Sequence, residues 1–110
     1  MILLLDTHVL LWALMAPQRL SPGLRAALAR PDTRVQFSAA SVWEIAIKRA
    51  LGRPDFAFEP DTVAQAALDT DFESLPVRHD HAARVRQLPP LHADPFDRML
   101  LAQPFVMAVL

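Results

Sequence analysis

The sequence predicts a single α/β domain over residues 1–110, with a short, mostly parallel sheet flanked by helices. Two observations predict this class: short apolar runs typical of buried strands, and longer segments of helical periodicity that separate them. The 110 residues are enough to bury one core. A hydrophobic content of 53% with 21% charged residues is ordinary for a globular chain. We therefore expect one layered domain and no second one.

Three short runs predict the strands. Residues 2–5 (ILLL) form a continuous apolar run that ends at an acid, which is typical of a strand buried on both faces. The runs 34–37 (RVQF) and 72–77 (FESLPV) predict two further strands. Helices are predicted in the segments between and after these strands, over residues 7–17, 21–31, 38–52, 61–70, 78–88 and 95–103.

Polar residues, prolines and one glycine mark the ends of these helices. Thr7 and Ser21 are predicted caps, and Gly52 stands at the C′ position of the third helix. Strands separated by helices predict parallel pairing, so the carboxyl ends of the strands meet at one edge of the sheet. Because ligands of α/β domains bind beyond that edge, we expect functional side chains there.

Composition excludes several classes of function. The chain has no cysteine, and therefore no disulfide, thiolate metal site or thiol nucleophile. Its histidines lack the spacing of a zinc site, and two glycines are too few for a phosphate-binding or dinucleotide-binding loop. Ser38 and Ser41 stand outside the frame of a serine hydrolase. A net charge of −1 means that a polyanion would need a local basic patch or a bridging cation.

The apolar opening segment, residues 1–16, raises the question of a signal peptide or a membrane span. It has no basic beginning, and Asp6 and His8 interrupt it before it reaches the ~20 apolar residues that a span requires. We therefore expect a cytoplasmic protein without membrane attachment.

Three acids stand out from apolar surroundings or open an element: Asp6, Glu44 and Asp97. Each also has a structural explanation. Asp6 can end the first strand and cap the next helix, and Glu44 precedes Lys48 by four residues, the favourable order for a helical ion pair. Carboxylates that converge repel one another and are usually stabilised by a cation. Mg²⁺ or Mn²⁺, which prefers oxygen ligands, would then polarise a phosphodiester and activate water.

The segment HADPFDR, residues 92–98, allows both a structural explanation and a functional one for its acids. Asp94 before Pro95 predicts an N-cap, and Asp97 then falls at the third helical position, where a carboxylate is favoured by the helix dipole. Arg98 beside it, and Arg49 in the third helix, are candidates for contacts with phosphate. We expect Asp94 to be a cap, and Asp97 to be both part of the helix start and part of a site.

Three blocks in order carry a family resemblance: LLLDTHVLLWAL, SAASVWEIAIKRALGR and LPVRHDHAARVRQLPPLHADPFDRMLLAQ. Together they resemble the PIN-domain proteins of the virulence-associated protein C type, the toxin half of bacterial toxin–antitoxin pairs. The resemblance covers Met1 to about Gln103. It implies a doubly wound α/β fold and a Mg²⁺- or Mn²⁺-dependent ribonuclease that forms a homodimer and is inhibited by a cognate antitoxin.

The resemblance also assigns site residues. The family's three acids fall on Asp6, Glu44 and Asp97, as catalytic residues and metal ligands, with Thr7 and Asp94 in supporting positions. Beyond Gln103 the sequence departs from the family, because Pro104 disturbs the helix and no acid follows Asp97. We therefore expect a domain that is incomplete at its C-terminus, without the family's last strands and fourth acid.

That departure keeps other functions open. One is a catalytically impaired PIN-domain remnant that only binds an antitoxin or dimerises. Another is a phosphoacceptor domain with Asp6 as the acceptor, which is disfavoured because the chain lacks a companion lysine near a late strand. For the tail, residues 105–110 (FVMAVL), we expect an irregular strand or a helical extension, since a parallel return after the last helix looks too short.

Overall fold

The structure is a computed structural model that describes residues 1–88 and 94–103 in full and residues 107–109 at the level of the backbone. Residues 89–93, between the predicted helices 78–88 and 95–103, and the helix disturbance at Pro104 lie outside these residues. The strands are β1 (Ile2–Leu5), β2 (Arg34–Ser38), β3 (Glu73–Leu75) and β4 (Met107–Val109). The helices are α1 (Thr7–Met15), α2 (Pro22–Ala29), α3 (Ala39–Ala50), α4 (Pro60–Asp69), α5 (His79–Arg84) and α6 (Pro95–Ala102).

The strands form one parallel sheet in the order β3-β2-β1-β4, which confirms the predicted α/β class. Leu5 is in register with Phe37 of β2, so β1 and β2 end at the same level. Leu3, Leu4 and Leu5 are fully buried, as expected for a strand covered on both faces. The residues that follow β1 and β2 therefore emerge at one edge of the sheet.

For the tail, a strand was one of the two expected forms, but the expectation that a parallel return is too short is wrong. β4 pairs in parallel with β1, with Leu4 opposite Ala108. The crossover to β4 begins at the end of β3 and runs through α5 and α6, so it is much longer than the segment after α6 alone. That length exceeds the dozen or so residues that a parallel crossover needs.

Side-chain caps position the helices that follow the strands. Asp6 caps α1, with Oδ1 accepting from the backbone N–H of Val9 at 2.8 Å. Thr7 is the first helical residue, so its predicted role as the cap is wrong. Its hydroxyl is directed elsewhere because the preceding carboxylate already satisfies the helix start. The predicted cap of α2 is confirmed, since Ser21 accepts from Leu24 N at 3.2 Å.

The core lies between the sheet and the helices α1, α3 and α4. Its largest fully buried side chains include Leu10 of α1, Ile45 of α3, Val63 of α4 and Phe56 of the short 3-10 turn Pro54–Phe56. Gly52, with φ of +73°, ends α3 in the left-handed conformation that glycine favours, as predicted. In the described part of the chain the longest helix, α3, has 12 residues, and no helix is long and apolar enough to cross a membrane.

Candidate active site

Glu44 is the centre of a buried polar cluster. Its side chain is 6% exposed, and both carboxylate oxygens have partners. Oε1 accepts a hydrogen bond from the Thr7 hydroxyl at 2.5 Å, and Oε2 accepts one from Lys48 Nζ at 2.5 Å. The helical ion pair that the sequence offered as the structural explanation of Glu44 is therefore present. The bond from Thr7 adds a tie between α1 and α3.

The ammonium group of Lys48 lies among aromatic rings as well as beside Glu44. Nζ is 4.9 Å from the ring centroid of Phe56 and 5.8 Å from that of Phe96, distances suited to cation–π attraction. Because the Lys48 side chain is only 18% exposed, its charge interacts with Glu44 under weak solvent screening. Lys48 thus supplies the positive charge that a buried carboxylate requires.

Asp6 stands at the carboxyl end of β1, directly before Thr7. Burial raises the pKa of Asp6 above its usual value, while the hydrogen bond from Val9 and the nearby His8 act in the opposite direction. The carboxylate of Glu44 is close enough to raise the pKa of Asp6 further. The ionised form of Asp6 is therefore held at a cost in free energy, a condition typical of functional carboxylates.

Asp97 lies in the first turn of α6, which begins beside α3. Asp94 caps this helix as predicted, with Oδ1 accepting from Phe96 N at 2.8 Å and from Asp97 N at 3.2 Å. The ring of Phe96 meets that of Trp43 edge-to-face with centroids 5.3 Å apart, which fixes the start of α6 against α3. The backbone of Asp97 is thereby anchored next to the helix that carries Glu44.

The structure brings three of the predicted site residues into one cluster and places a fourth at the start of a neighbouring helix. Asp6, Thr7 and Glu44 form one cluster, and α6 brings Asp97 to the neighbouring helix start. Within residues 1–88 and 94–103, no group of three acidic or histidine side chains is arranged to hold a metal ion. The predicted carboxylates therefore share one region of the fold without forming a ready ligand set.

The two predicted arginines have protein partners. Arg49 forms an ion pair with Glu59 at 2.7 Å on the surface, so a local carboxylate offsets its charge. Arg98 donates from Nη2 to the backbone carbonyl of Val85 at 2.9 Å, which links α6 to the 3-10 turn Val85–Gln87. In the structure, both arginines connect neighbouring segments of the chain.

Sequence reasoning missed a second set of side chains beside Asp6. His8, Trp12 and Arg19 line a groove with Asp55. The signal in the sequence was the helical spacing, because Trp12 follows His8 by four residues. That spacing places His8 and Trp12 on one face of α1.

The fold is a parallel α/β sheet with a partly buried carboxylate, Asp6, at the end of its first strand and a second carboxylate, Glu44, on the helix that follows the next strand. The chain belongs to the PIN-domain family, whose family model, described as PIN domain, matches residues 3–104. PIN domains are usually nucleases, so this membership associates the chain with nuclease-type activity on RNA. Searches among curated proteins and among solved structures found no match.

Proposed function

We propose that the protein is a Mg²⁺- or Mn²⁺-dependent endoribonuclease and the toxin component of a toxin–antitoxin pair. The observation that carries the proposal is the proximity of the Asp6 and Glu44 carboxylates at the carboxyl edge of the sheet, in a chain of the PIN-domain family. Because these two carboxylates are shielded from solvent and repel each other, a cation bound beside them would be stabilised.

The donor chemistry fits a hard divalent ion. Asp6, Glu44 and Asp97 offer only oxygen, and Mg²⁺ is commonly held by one or two carboxylates with several waters retained. Asp6 and Asp97 are the proposed direct ligands, and Glu44, already bonded to Thr7 and Lys48, is the proposed ligand through water. Such an ion supplies a Lewis acid for the phosphodiester and an activated water.

The chain's own residues hold these carboxylates in place. Thr7 and Lys48 fix both oxygens of Glu44, so its side chain is oriented before any substrate arrives. Asp94 fixes the first turn of α6 and with it the backbone of Asp97. In the proposal Arg98 and Arg49 contact the RNA backbone. Arg49 would exchange its bond with Glu59 for one with phosphate.

The proposed partners are an RNA substrate, a cognate antitoxin and a second copy of the chain, all in the cytoplasm. The antitoxin and the homodimer rest on the resemblance of the three sequence blocks to the virulence-associated protein C type. Light scattering on purified protein tests the dimer, and the genomic sequence beside the coding region tests the antitoxin. A monomer at micromolar concentration, or the absence of a small upstream reading frame, would count against these assignments.

Calorimetric titration with Mn²⁺ tests the proposed metal site. We expect one saturable binding event in the wild-type protein and its loss in Asp6→Asn and in Asp97→Asn. Asp61→Asn, the same chemical change in the first turn of α4, is the matched control and should bind as the wild type does. Equal binding by all four proteins would exclude Asp6 and Asp97 as ligands.

The second candidate function is a catalytically impaired PIN domain that acts only by binding a partner. The observation that favours it is the pairing of both Glu44 oxygens with Thr7 and Lys48, together with the lack of a three-ligand cluster in the described part of the chain. A folded wild-type protein that binds no Mn²⁺ and cleaves no RNA would favour this function over the ribonuclease.

A further inference from the structure

A groove runs between α1 and the segment 54–58, starting at the first turn of α1 after Asp6. It encloses about 440 Å³, within the size range of small-ligand sites. Trp12 and Phe58 provide aromatic walls, and His8, Arg19 and Asp55 provide the polar groups. The groove therefore combines π-surfaces with hydrogen-bonding groups in one concave place.

Arg19 and Trp12 form the most distinctive contact in this groove. The guanidinium carbon of Arg19 lies 4.8 Å from the indole centroid, in cation–π geometry. Among the fully described residues Arg19 forms no ion pair with a carboxylate, so nothing there offsets its charge. A planar cation on an aromatic face suits both the stacking of a base and the binding of a phosphate.

His8 and Asp55 hold the two walls of the groove together. His8 Nε2 lies 3.5 Å from Asp55 Oδ2, and the His8 ring packs on Phe56 with centroids 5.3 Å apart. Both polar side chains are about half exposed, at 47% and 52%, so they can also bond to a ligand. The pair joins α1 to the 3-10 turn that forms the opposite wall.

We propose that this groove is a nucleobase subsite, in which one base of a single-stranded RNA stacks beside Trp12 and Arg19 while a neighbouring phosphodiester lies at Asp6. The helical rise places Trp12 about 9 Å along α1 from Asp6, a distance that a short piece of extended strand can span. The subsite rests on the proposed ribonuclease function, because RNA is the substrate that would reach both places.

The polar groups favour a nucleobase over a protein helix as the occupant. A groove that receives an amphipathic helix presents apolar pockets for a row of apolar anchors. This groove has an apolar lining that includes Leu11 and Met15, and it adds an imidazole and a carboxylate that can bond to base edges and a guanidinium that can bond to a base edge or a phosphate. Stacking tolerates any base, so the subsite predicts affinity for single strands with little sequence preference.

Tryptophan fluorescence tests the subsite directly. The chain has two tryptophans, and Trp43→Phe leaves Trp12 as the single reporter while it keeps an aromatic ring beside Phe96. The titrant is an RNA tetranucleotide in the presence of EDTA, which prevents metal-dependent cleavage. We expect saturable quenching of Trp12 by the tetranucleotide, and none by ribose 5-phosphate, which has no base.

Two arginine variants in the Trp43→Phe background sharpen the test. Arg19→Gln should weaken binding about 3- to 30-fold, the range for losing a cation–π contact between the guanidinium and the bound base. Arg25→Gln removes the same charge from an exposed position on α2 and should leave the affinity unchanged. Unchanged Trp12 emission with RNA, equal quenching by ribose 5-phosphate, or equal effects of the two variants would overturn the subsite.

The metal-free assay separates failure of the subsite from failure of the proposed function. If Asp6→Asn cleaves RNA as well as the wild type does, the nuclease assignment fails and quenching of Trp12 is unaffected. If RNA does not quench Trp12 while cleavage depends on Asp6, the subsite fails alone. In that case a protein partner becomes the better occupant of the groove.

Discussion

The hydroxyl of Thr7 donates a hydrogen bond to Oε1 of Glu44 over 2.5 Å, and both side chains are buried. Thr7 directly follows Asp6, so this bond couples the end of β1 to the middle of α3. The two carboxylates of the candidate site are thereby held at a fixed separation. A residue that the sequence offered as a helix cap instead orients a proposed ligand.

Replacing Thr7 by valine keeps the shape of the side chain and removes the donor. We expect Thr7→Val to lower the free energy of unfolding by about 1.5–3 kcal/mol, because a buried carboxylate oxygen loses its partner. Urea denaturation measures the loss. Thr7→Ser, which keeps the hydroxyl, is the matched control. Wild-type stability in Thr7→Val together with a loss in Thr7→Ser would mean that packing of the methyl group, and not the hydrogen bond, is what matters.

Lys48 stabilises the charge of Glu44, so its removal should make the fold depend on added cations. Lys48→Met is expected to lower the free energy of unfolding by roughly 2–4 kcal/mol, since it leaves a buried carboxylate without its counterion. If Glu44 faces the proposed metal site, Mn²⁺ should recover more stability in Lys48→Met than in the wild type. Thermal unfolding with and without Mn²⁺ measures both effects. An equal gain in stability on adding Mn²⁺ to the two proteins would contradict the expectation that Glu44 faces the metal site.

Asp6 should make the metal-free protein less stable at neutral pH. Because burial raises the pKa of Asp6, the folded state binds this proton more tightly than the unfolded state does, and stability falls as pH rises through that pKa. Asp6→Asn keeps a good helix cap without the charge, so it should be more stable than the wild type at pH 7.

The advantage of Asp6→Asn should shrink as the pH falls through the raised pKa of Asp6 towards the ordinary value of 3.8, where the wild-type carboxyl is protonated in both states. Urea denaturation of both proteins between pH 7 and pH 4 measures this. A constant difference across the range would show that the charge of Asp6 is not the cause.

We expect Asp94 to stabilise the start of α6 and not to bind the metal ion. Asp94→Ala removes the acceptor for two backbone N–H groups and is expected to lower the free energy of unfolding by about 1 kcal/mol. Asp94→Asn keeps the cap and should be nearly neutral in stability and in Mn²⁺ binding. Loss of Mn²⁺ binding in Asp94→Asn would instead make Asp94 a ligand.

The sequence predicted the order of the elements because local rules determine them. The apolar run 2–5, the caps Ser21 and Asp94, and the C′ glycine Gly52 each act over a few residues, and each is confirmed. The pairing of β4 with β1 was not predicted, because it depends on a crossover that starts at β3 and passes through two helices.

The contacts of the candidate site were predictable only where they are local. The spacing of Glu44 and Lys48 indicated their ion pair, since both lie on one helix face. The bond between Thr7 and Glu44 joins residues 37 positions apart, which no local pattern reveals. The groove beside Trp12 was missed for the same reason, because one wall comes from α1 and the other from the segment 54–58.

Cleavage of RNA by the purified protein tests the central claim most directly. With Mg²⁺ or Mn²⁺ we expect wild-type protein and Asp61→Asn to cleave single-stranded RNA. Asp6→Asn and Asp97→Asn should lose most of that activity, and EDTA should abolish it. Equal cleavage by the wild type, Asp6→Asn and Asp97→Asn would contradict the account.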